Sequence, residues 1–225
     1  PSIVQFDDGW NGWKYWMAHT PYPHGNDRLE NPCVAVSNDG IKWEEPEGIS
    51  NPLVEAPIGS GYNSDAHMFY NDTSKKMEIW YREVLGVSPE DEENIYRIIS
   101  SDGIHWGAPE LLINSSASNI LQFISPSVIF DDGVYKIWVM RDFYLVYMTS
   151  VNGKDWSTPV DVLSDGKRIH TWHTNVVLYD DKLHLVNQNL PGLIKYSYSE
   201  IGNETIFSKE VEVLKRSGNP WDLDG

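Results

Sequence analysis

The ten residues Ser37–Pro46, SNDGIKWEEP, return twice along the chain: as SSDGIHWGAP at Ser100–Pro109 and as SVNGKDWSTP at Ser150–Pro159. In every copy a Ser, a Gly, a Trp and a Pro follow one another at steps of three: Ser37/Gly40/Trp43/Pro46, Ser100/Gly103/Trp106/Pro109 and Ser150/Gly153/Trp156/Pro159. A degenerate fourth copy, SEIGNETIFS, keeps Ser199 and Gly202 and carries Thr205 and Ser208 in the other two columns. The Asp-Gly and Asn-Gly pairs mark tight turns, because glycine accepts the positive φ that such turns impose. A short β-branched or aromatic run precedes each copy: NPCVAVS, NIYRIIS, YLVYMTS and LIKYSYS, each a strand by composition.

Working outward, a second pattern recurs upstream of the first: an apolar run, an acidic turn, then an aromatic-rich run. Its copies are PSIVQFDDGWNGWKYWMA, AHMFYNDTSKKMEIWYRE, PSVIFDDGVYKIWVMRD and NVVLYDDKLHLVNQ. Aligned on their turns, Pro1, Ala66, Pro126 and Asn175 share one column, at offsets of 65, 60 and 49 residues. Each unit then holds two inner strands, a loop, a third strand, the Ser-to-Pro turn and a short outer strand. The outer strands are ELLI, VDVL and VEVL, with a weaker match near Pro52. Four antiparallel strands per unit, repeated around a ring, describe a β-propeller. The expectation is an all-β, single-domain propeller with blades near 1–60, 61–120, 121–170 and 171–216. SGNPWDLDG at 217–225 would open a fifth, truncated blade. The Ser-to-Pro code is read as scaffold, the turn between the third and fourth strands, with its Trp packed between blades.

Bulk composition narrows the function classes. The formal charge of −16 on 225 residues argues against a nucleic-acid surface, which needs clustered Lys and Arg. The acids are spread along the chain, as on a solvated surface. No apolar run is long enough to span a membrane as a helix. The lone Cys33 excludes an internal disulfide framework and a cysteine-based zinc site. No signal peptide is visible. The chain also lacks an initiator Met and opens on an inner strand, which reads as a mature form or a fragment; localisation and oligomeric state are left open. The ten Trp and twelve Tyr suit β-structure, and equally the stacking of sugar rings.

Topology selects candidate site residues. The second strand of a blade runs antiparallel to the first, so its end returns to the face where the first began. First-strand starts bring Asp65, His67, Ser125 and Thr174 to that face, with neighbouring Trp172 and His173. Second-strand ends bring His19, Arg82, Glu83, Arg141, Asp142, Asn187 and Gln188. The loop HTPYPHGNDRLE adds Tyr22, Asn26 and Asp27. Charged, amide and aromatic groups together suit a glycan, whose ring has an apolar side and whose hydroxyls need planar polar partners. The alternative for Arg82/Glu83 and Arg141/Asp142 is an ion pair that stitches blades together. Asp65, Glu83 and Asp142 are the acids available for catalysis. His170, His173 and His184 make a poor metal triad, because His184 lies mid-strand. The Asp pairs at Asp7, Asp131 and Asp180 are ordinary turn chemistry rather than calcium ligands. Neither a metal nor a cofactor is assigned, and the expected partner is a glycan or oligosaccharide.

The blade punctuation (SNDGIKW, SSDGIHW) and the strand openings PSIVQF and SPSVIF resemble the five-bladed propeller glycosidases of glycoside hydrolase families 43, 32, 68 and 130. In family 43 the first blade opens Asp-Pro-Ser, with that Asp as general base; this chain begins at Pro1-Ser2, so that column precedes the sequence. The resemblance assigns Asp65 the second-blade role of tuning the acid and orienting substrate. It places the general acid, a Glu, where this chain has Ser125-Pro126. Serine cannot protonate a leaving glycosidic oxygen at neutral pH. The resemblance therefore implies either a glycosidase whose acid lies elsewhere, with Glu83 as one replacement, or a non-catalytic glycan-binding module.

Overall fold

The computed structural model describes residues 1–86, 92–114, 123–189 and 192–214. Chain contacts divide it into two units, 1–123 and 124–225.

In the first unit, β1 (Ser2–Trp10), β2 (Trp13–His19) and β3 (Cys33–Ser37) form a three-stranded antiparallel sheet. β4 (Tyr62–Asn71), β5 (Lys76–Leu85), β6 (Glu92–Ser100) and β7 (Glu110–Asn114) form a four-stranded one in the same up-and-down order. The strands are those read from the sequence. The outer strand sought near Pro52 is the exception: after β3 only an isolated bridge, Val36 to Glu44, is formed. Pro46, Pro52 and Pro57 lie in that stretch, and proline cannot donate to a ladder. Trp16, Val34, Val36, Met68, Met77, Ile79 and Ile98 make one buried cluster from both sheets. Complete burial of a side chain of this size stabilises by about 1.5–3 kcal/mol.

The repeated turn is built as its code suggests. Ser100 Oγ accepts the amides of Asp102 and Gly103 at 3.2 and 2.8 Å, and Trp106 Nε1 donates to the Gly103 carbonyl at 3.0 Å. Ser37 and Ser150 repeat the serine contacts at Gly40 and Gly153, and Trp156 repeats the indole bond. Gly103 has φ +77, and a Cβ there would stand 2.3 Å from the Trp16 ring. The turn of the second sheet thus seats directly on the first, and Trp106 packs against their shared core.

In the second unit, β8 (Ile124–Asp131), β9 (Val134–Arg141), β10 (Tyr144–Ser150) and β11 (Val160–Asp161) form a four-stranded sheet. The expected outer strand VDVL then divides. Its last residue enters β12 (Leu163–Ser164), which pairs with β13 (Lys167–Arg168). β14 (His173–Tyr179), β15 (Lys182–Asn189) and β16 (Leu193–Glu200) follow; β17 (Ile206–Phe207) runs parallel to β12, and β18 (Val211–Leu214) pairs with β16 to complete the four-stranded sheet β14–β15–β16–β18. Trp138, Leu145, Val162, Ile169, Val176 and Leu185 form the buried cluster of this unit. The anticipated opening of a fifth blade at 217–225 lies outside the described residues.

Five hairpins of the described residues have two-residue turns. Four use Asn11-Gly12, Asp132-Gly133, Asp165-Gly166 and Asp180-Asp181, residues suited to positive φ. The fifth, between β9 and β10, is Asp142-Phe143, with φ of 51 and 65. A phenylalanine held in the left-handed region costs about 1–2 kcal/mol.

Candidate functional site

Asp65 and Ser125 occupy the same column of the repeat, and the structure gives them one backbone device. β4 shifts register against β5 between Ser64 and His67, and β8 shifts against β9 between Ile124 and Ser127. At these bulges Asp65 takes φ 54 and Ser125 φ 53. A bulge residue in this conformation re-aims its side chain out of the strand's alternation. Aspartate tolerates it better than most residues, which accounts for a weak strand former at a strand mouth. Thr174, the next residue of that column, sits in a β14 that pairs with β15 without a register shift.

Around Asp65 the first unit gathers charge. Arg82 Nε lies 3.1 Å from Asp65 Oδ2 and 3.1 Å from Ser64 Oγ; its Nη1 lies 3.2 Å from Glu93 Oε1. The guanidinium stands over the Tyr62 ring at 5.8 Å. Burial disfavours its charge, but Asp65 and then Glu93 outweigh that effect and hold the Arg82 pKa above its ordinary value. Glu93 also accepts the Phe123 amide at 2.8 Å. Burial raises the Tyr62 phenol as well.

The loop between β2 and β3 adds a carboxyl that topology alone did not select. Burial first, and the neighbouring Asp65 second, push Glu30 up to about 7, with Arg82 and a hydrogen bond to Thr20 pulling the other way. The loop is tied down by Arg28, whose Nη1 donates to the carbonyls of Pro57 and Gly61 at 2.8 and 2.6 Å. Gly61, at φ +122, passes so close to β5 that a Cβ would meet the Val84 carbonyl oxygen at 2.3 Å. One signal could have exposed Glu30: an acid placed immediately before Asn31-Pro32-Cys33, where the chain enters a fully buried strand.

The remaining candidates of this unit separate. Glu83 does not pair with Arg82. The two are adjacent on β5, so they face opposite sides of the sheet; the Glu83 carboxylate accepts Asn94 Nδ2 at 3.1 Å and bonds Tyr96. The pairing weighed for Arg82 and Glu83 thus gives way to Arg82 with Asp65 and Glu93. His19 ends β2, and burial lowers its pKa. His67 is buried opposite Trp80. Tyr22 is exposed, Asn26 accepts the Arg28 amide at 3.1 Å, and Asp27 adds to the negative field on Glu30.

In the second unit, Ser125 Oγ and His173 Nδ1 share a hydrogen bond of 2.5 Å. Arg141 Nε and Asp142 Oδ2 stand 3.6 Å apart at the β9–β10 turn. Trp172 stacks near Phe143, with ring centroids 5.7 Å apart, and the Trp172 amide donates to the Gln188 carbonyl at 2.7 Å. Asn187 is buried, and its Nδ2 donates to Glu210 at 3.0 Å. His184 is engaged by Tyr196 and by the Tyr179 carbonyl, apart from His170 and His173. No group of three or more His, Cys, Asp or Glu among the described residues could hold a metal ion.

No family model matches the chain. Among curated proteins it is similar to the A type blood N-acetyl-α-D-galactosamine deacetylase of Flavonifractor plautii. The two are 26% identical over 226 residues, which cover 80% of this chain and 29% of that protein. The chain therefore spans well under half the length of this relative. Among solved structures it is similar to an N-acetylgalactosamine deacetylase from F. plautii in complex with blood group B trisaccharide. The TM-score is 0.78 at 23% identity, covering 96% of this chain and 71% of that one. It is also similar to an exo-β-1,3-galactanase of Phanerochaete chrysosporium with galactose (TM-score 0.65, 11% identity, 94% and 49% covered). A family 117 glycoside hydrolase of Zobellia galactanivorans aligns likewise (TM-score 0.65, 11% identity, 95% and 69% covered). The likeness establishes the fold: all-β, with several antiparallel four-stranded sheets, of the propeller glycosidase-like kind.

Proposed function

We propose that the chain is the propeller part of a carbohydrate-active protein, with five blades in the complete ring, and that its Asp65 site hydrolyses the acetamido group of an N-acetylated sugar. The observation that carries this reading is Glu30, a carboxyl poised near neutrality beside Asp65 and Arg82. A general base works best with a pKa near the working pH. Glu30 as carboxylate takes a proton from water as the oxygen attacks the acetamido carbonyl. It returns that proton to the nitrogen as the tetrahedral intermediate collapses to acetate and the free amino sugar. Asp65, held by Arg82, accepts hydrogen bonds from sugar hydroxyls. The name of the F. plautii relative supports an acetamido substrate. Ser125, standing where the resembling glycosidases carry their acid, speaks against cleavage of the glycosidic bond.

Glycosidic hydrolysis is the second reading. A neutral carboxyl close to a second carboxyl group is also the arrangement that cleaves glycosides, and Glu30 with Asp65 supplies it.

Incubation with blood group A trisaccharide and with p-nitrophenyl N-acetyl-galactosaminides tests both. The expected result is acetate and a free amine with no nitrophenol. Nitrophenol release would move the proposal to the second reading. Binding without either product would leave a glycan-binding module. Glu30→Gln and Asp65→Asn should each lower turnover by about tenfold or more, equivalent to about 1.4 kcal/mol.

A further inference from the structure

The β9–β10 turn departs from every other two-residue turn of the described residues by placing a phenylalanine where they place Gly or Asp. Turn geometry disfavours that choice, and burial does not compel it, since Phe143 is 42% exposed. The ring lies nearly parallel to His170, at 5° with centroids 6.0 Å apart, and is inclined 30° to Trp172. Holding the neighbouring segment in place does not require these rings. Backbone bonds already tie it to the hairpin: Leu145 N to the Ile169 carbonyl at 2.9 Å, Thr171 N to the Phe143 carbonyl at 3.0 Å, and a bridge between Tyr144 and His170. Arg141, half-buried, and Asp142, exposed, precede Phe143 directly in the chain.

We propose that Phe143, His170 and Trp172 form a sugar-binding platform of the second unit, on which a glycan lays the apolar face of a pyranose ring while Arg141 and Asp142 hydrogen-bond its hydroxyls. Aromatic faces suit the C–H side of a sugar, and a planar guanidinium with a carboxylate offers donors and acceptors to neighbouring hydroxyls. The pinned backbone means that little ordering accompanies binding. The left-handed Phe143 is then a stability cost retained for function. The proposal rests on the glycan reading above, but not on its reaction.

Phe143→Gly tests it, because glycine suits the turn while the ring is lost. Calorimetric titration with blood group A trisaccharide should show binding weakened about tenfold, with the melting temperature unchanged or raised. Asp181→Gly relieves the same backbone conformation at a turn away from the platform and should bind as the parent does. Equal binding by parent and Phe143→Gly would overturn the platform and leave the glycan reading standing. A lower melting temperature with intact binding would assign the rings to the scaffold. A parent chain that binds the trisaccharide but releases no acetate would remove the reaction and keep the platform; one that binds no trisaccharide would overturn both.

Discussion

The mouths of β4 and β8 are the same piece of architecture filled with different chemistry. Each has a bulge, and each turns one residue of the shared column to φ near 50. At the first mouth that residue is Asp65, set in a charged cluster with Arg82 and Glu93 and influenced by Glu30. At the second it is Ser125, joined by a hydrogen bond to His173. The backbone device is thus shared by these two copies of the repeat, while β14 forms without it. What it presents is free to change. A column of a repeated fold therefore locates a position without naming its role.

The contrast is energetic as well as chemical. Arg82 is the countercharge that the carboxylates at the first mouth share, and it is almost fully buried. Removing one partner of a buried pair leaves uncompensated charge and costs about 3–5 kcal/mol. Arg82→Met should lose stability on that scale in a denaturant titration. Ser125→Ala at the other mouth removes one hydrogen bond of a small polar pair and should lose only about 1 kcal/mol. Equal losses would mean that the two mouths are held in the same way, and the comparison would fail.

The second test separates the mouths by pH. The folded-state pKa of Glu30 is raised, to about 7, so the folded chain binds more protons than the unfolded chain between the ordinary carboxylate range and neutrality. The resulting stability is fully present below about pH 4.5 and is lost as pH rises through about 7. Glu30→Gln cannot titrate, so it should be the more stable form at pH 8, by about 1–2 kcal/mol after allowance for the solvent that still reaches the carboxyl. At pH 4 the two chains should differ little. Melting curves of parent and variant across this range check the sign; a Glu30→Gln advantage that is constant with pH would detach the carboxyl from the cluster.

How much of this was legible beforehand follows from the range of the interactions involved. The Ser-to-Pro turns rest on contacts within a few residues, such as Ser100 with Gly103, and a repeat of local contacts is visible as a repeat of letters. The column of Asp65 was visible for the same reason. Adjacency in sequence offered Glu83 as one partner of Arg82; strand alternation sends those neighbours to opposite faces, and the bulge brings Asp65 round instead. Glu30 was invisible as a site residue because its character comes from burial and from Asp65, 35 positions away. The division of VDVL between β11 and β12 was hidden too, since it depends on pairing with Ile206 and Phe207 far along the chain.

The smallest expected effect is the most pointed, because it isolates the backbone device from what the device carries. Ser125→Ala and Ser125→Gly both delete the hydrogen bond to His173. They differ in the left-handed backbone, which alanine resists by about 1–2 kcal/mol and glycine accepts. Glycine returns part of that advantage, roughly 0.5–1 kcal/mol, through the greater freedom of its unfolded chain. Ser125→Gly should therefore be more stable than Ser125→Ala by about 0.5–1 kcal/mol, the reverse of their order in an ordinary strand. The same pair at Asp65 should show the same inversion, because the charge lost beside Arg82 is common to both variants and cancels in their comparison, although both should fall well below the parent. If alanine proves the better substitute at Ser125, the two mouths do not share one conformation, and their likeness would reduce to a coincidence of sequence alignment.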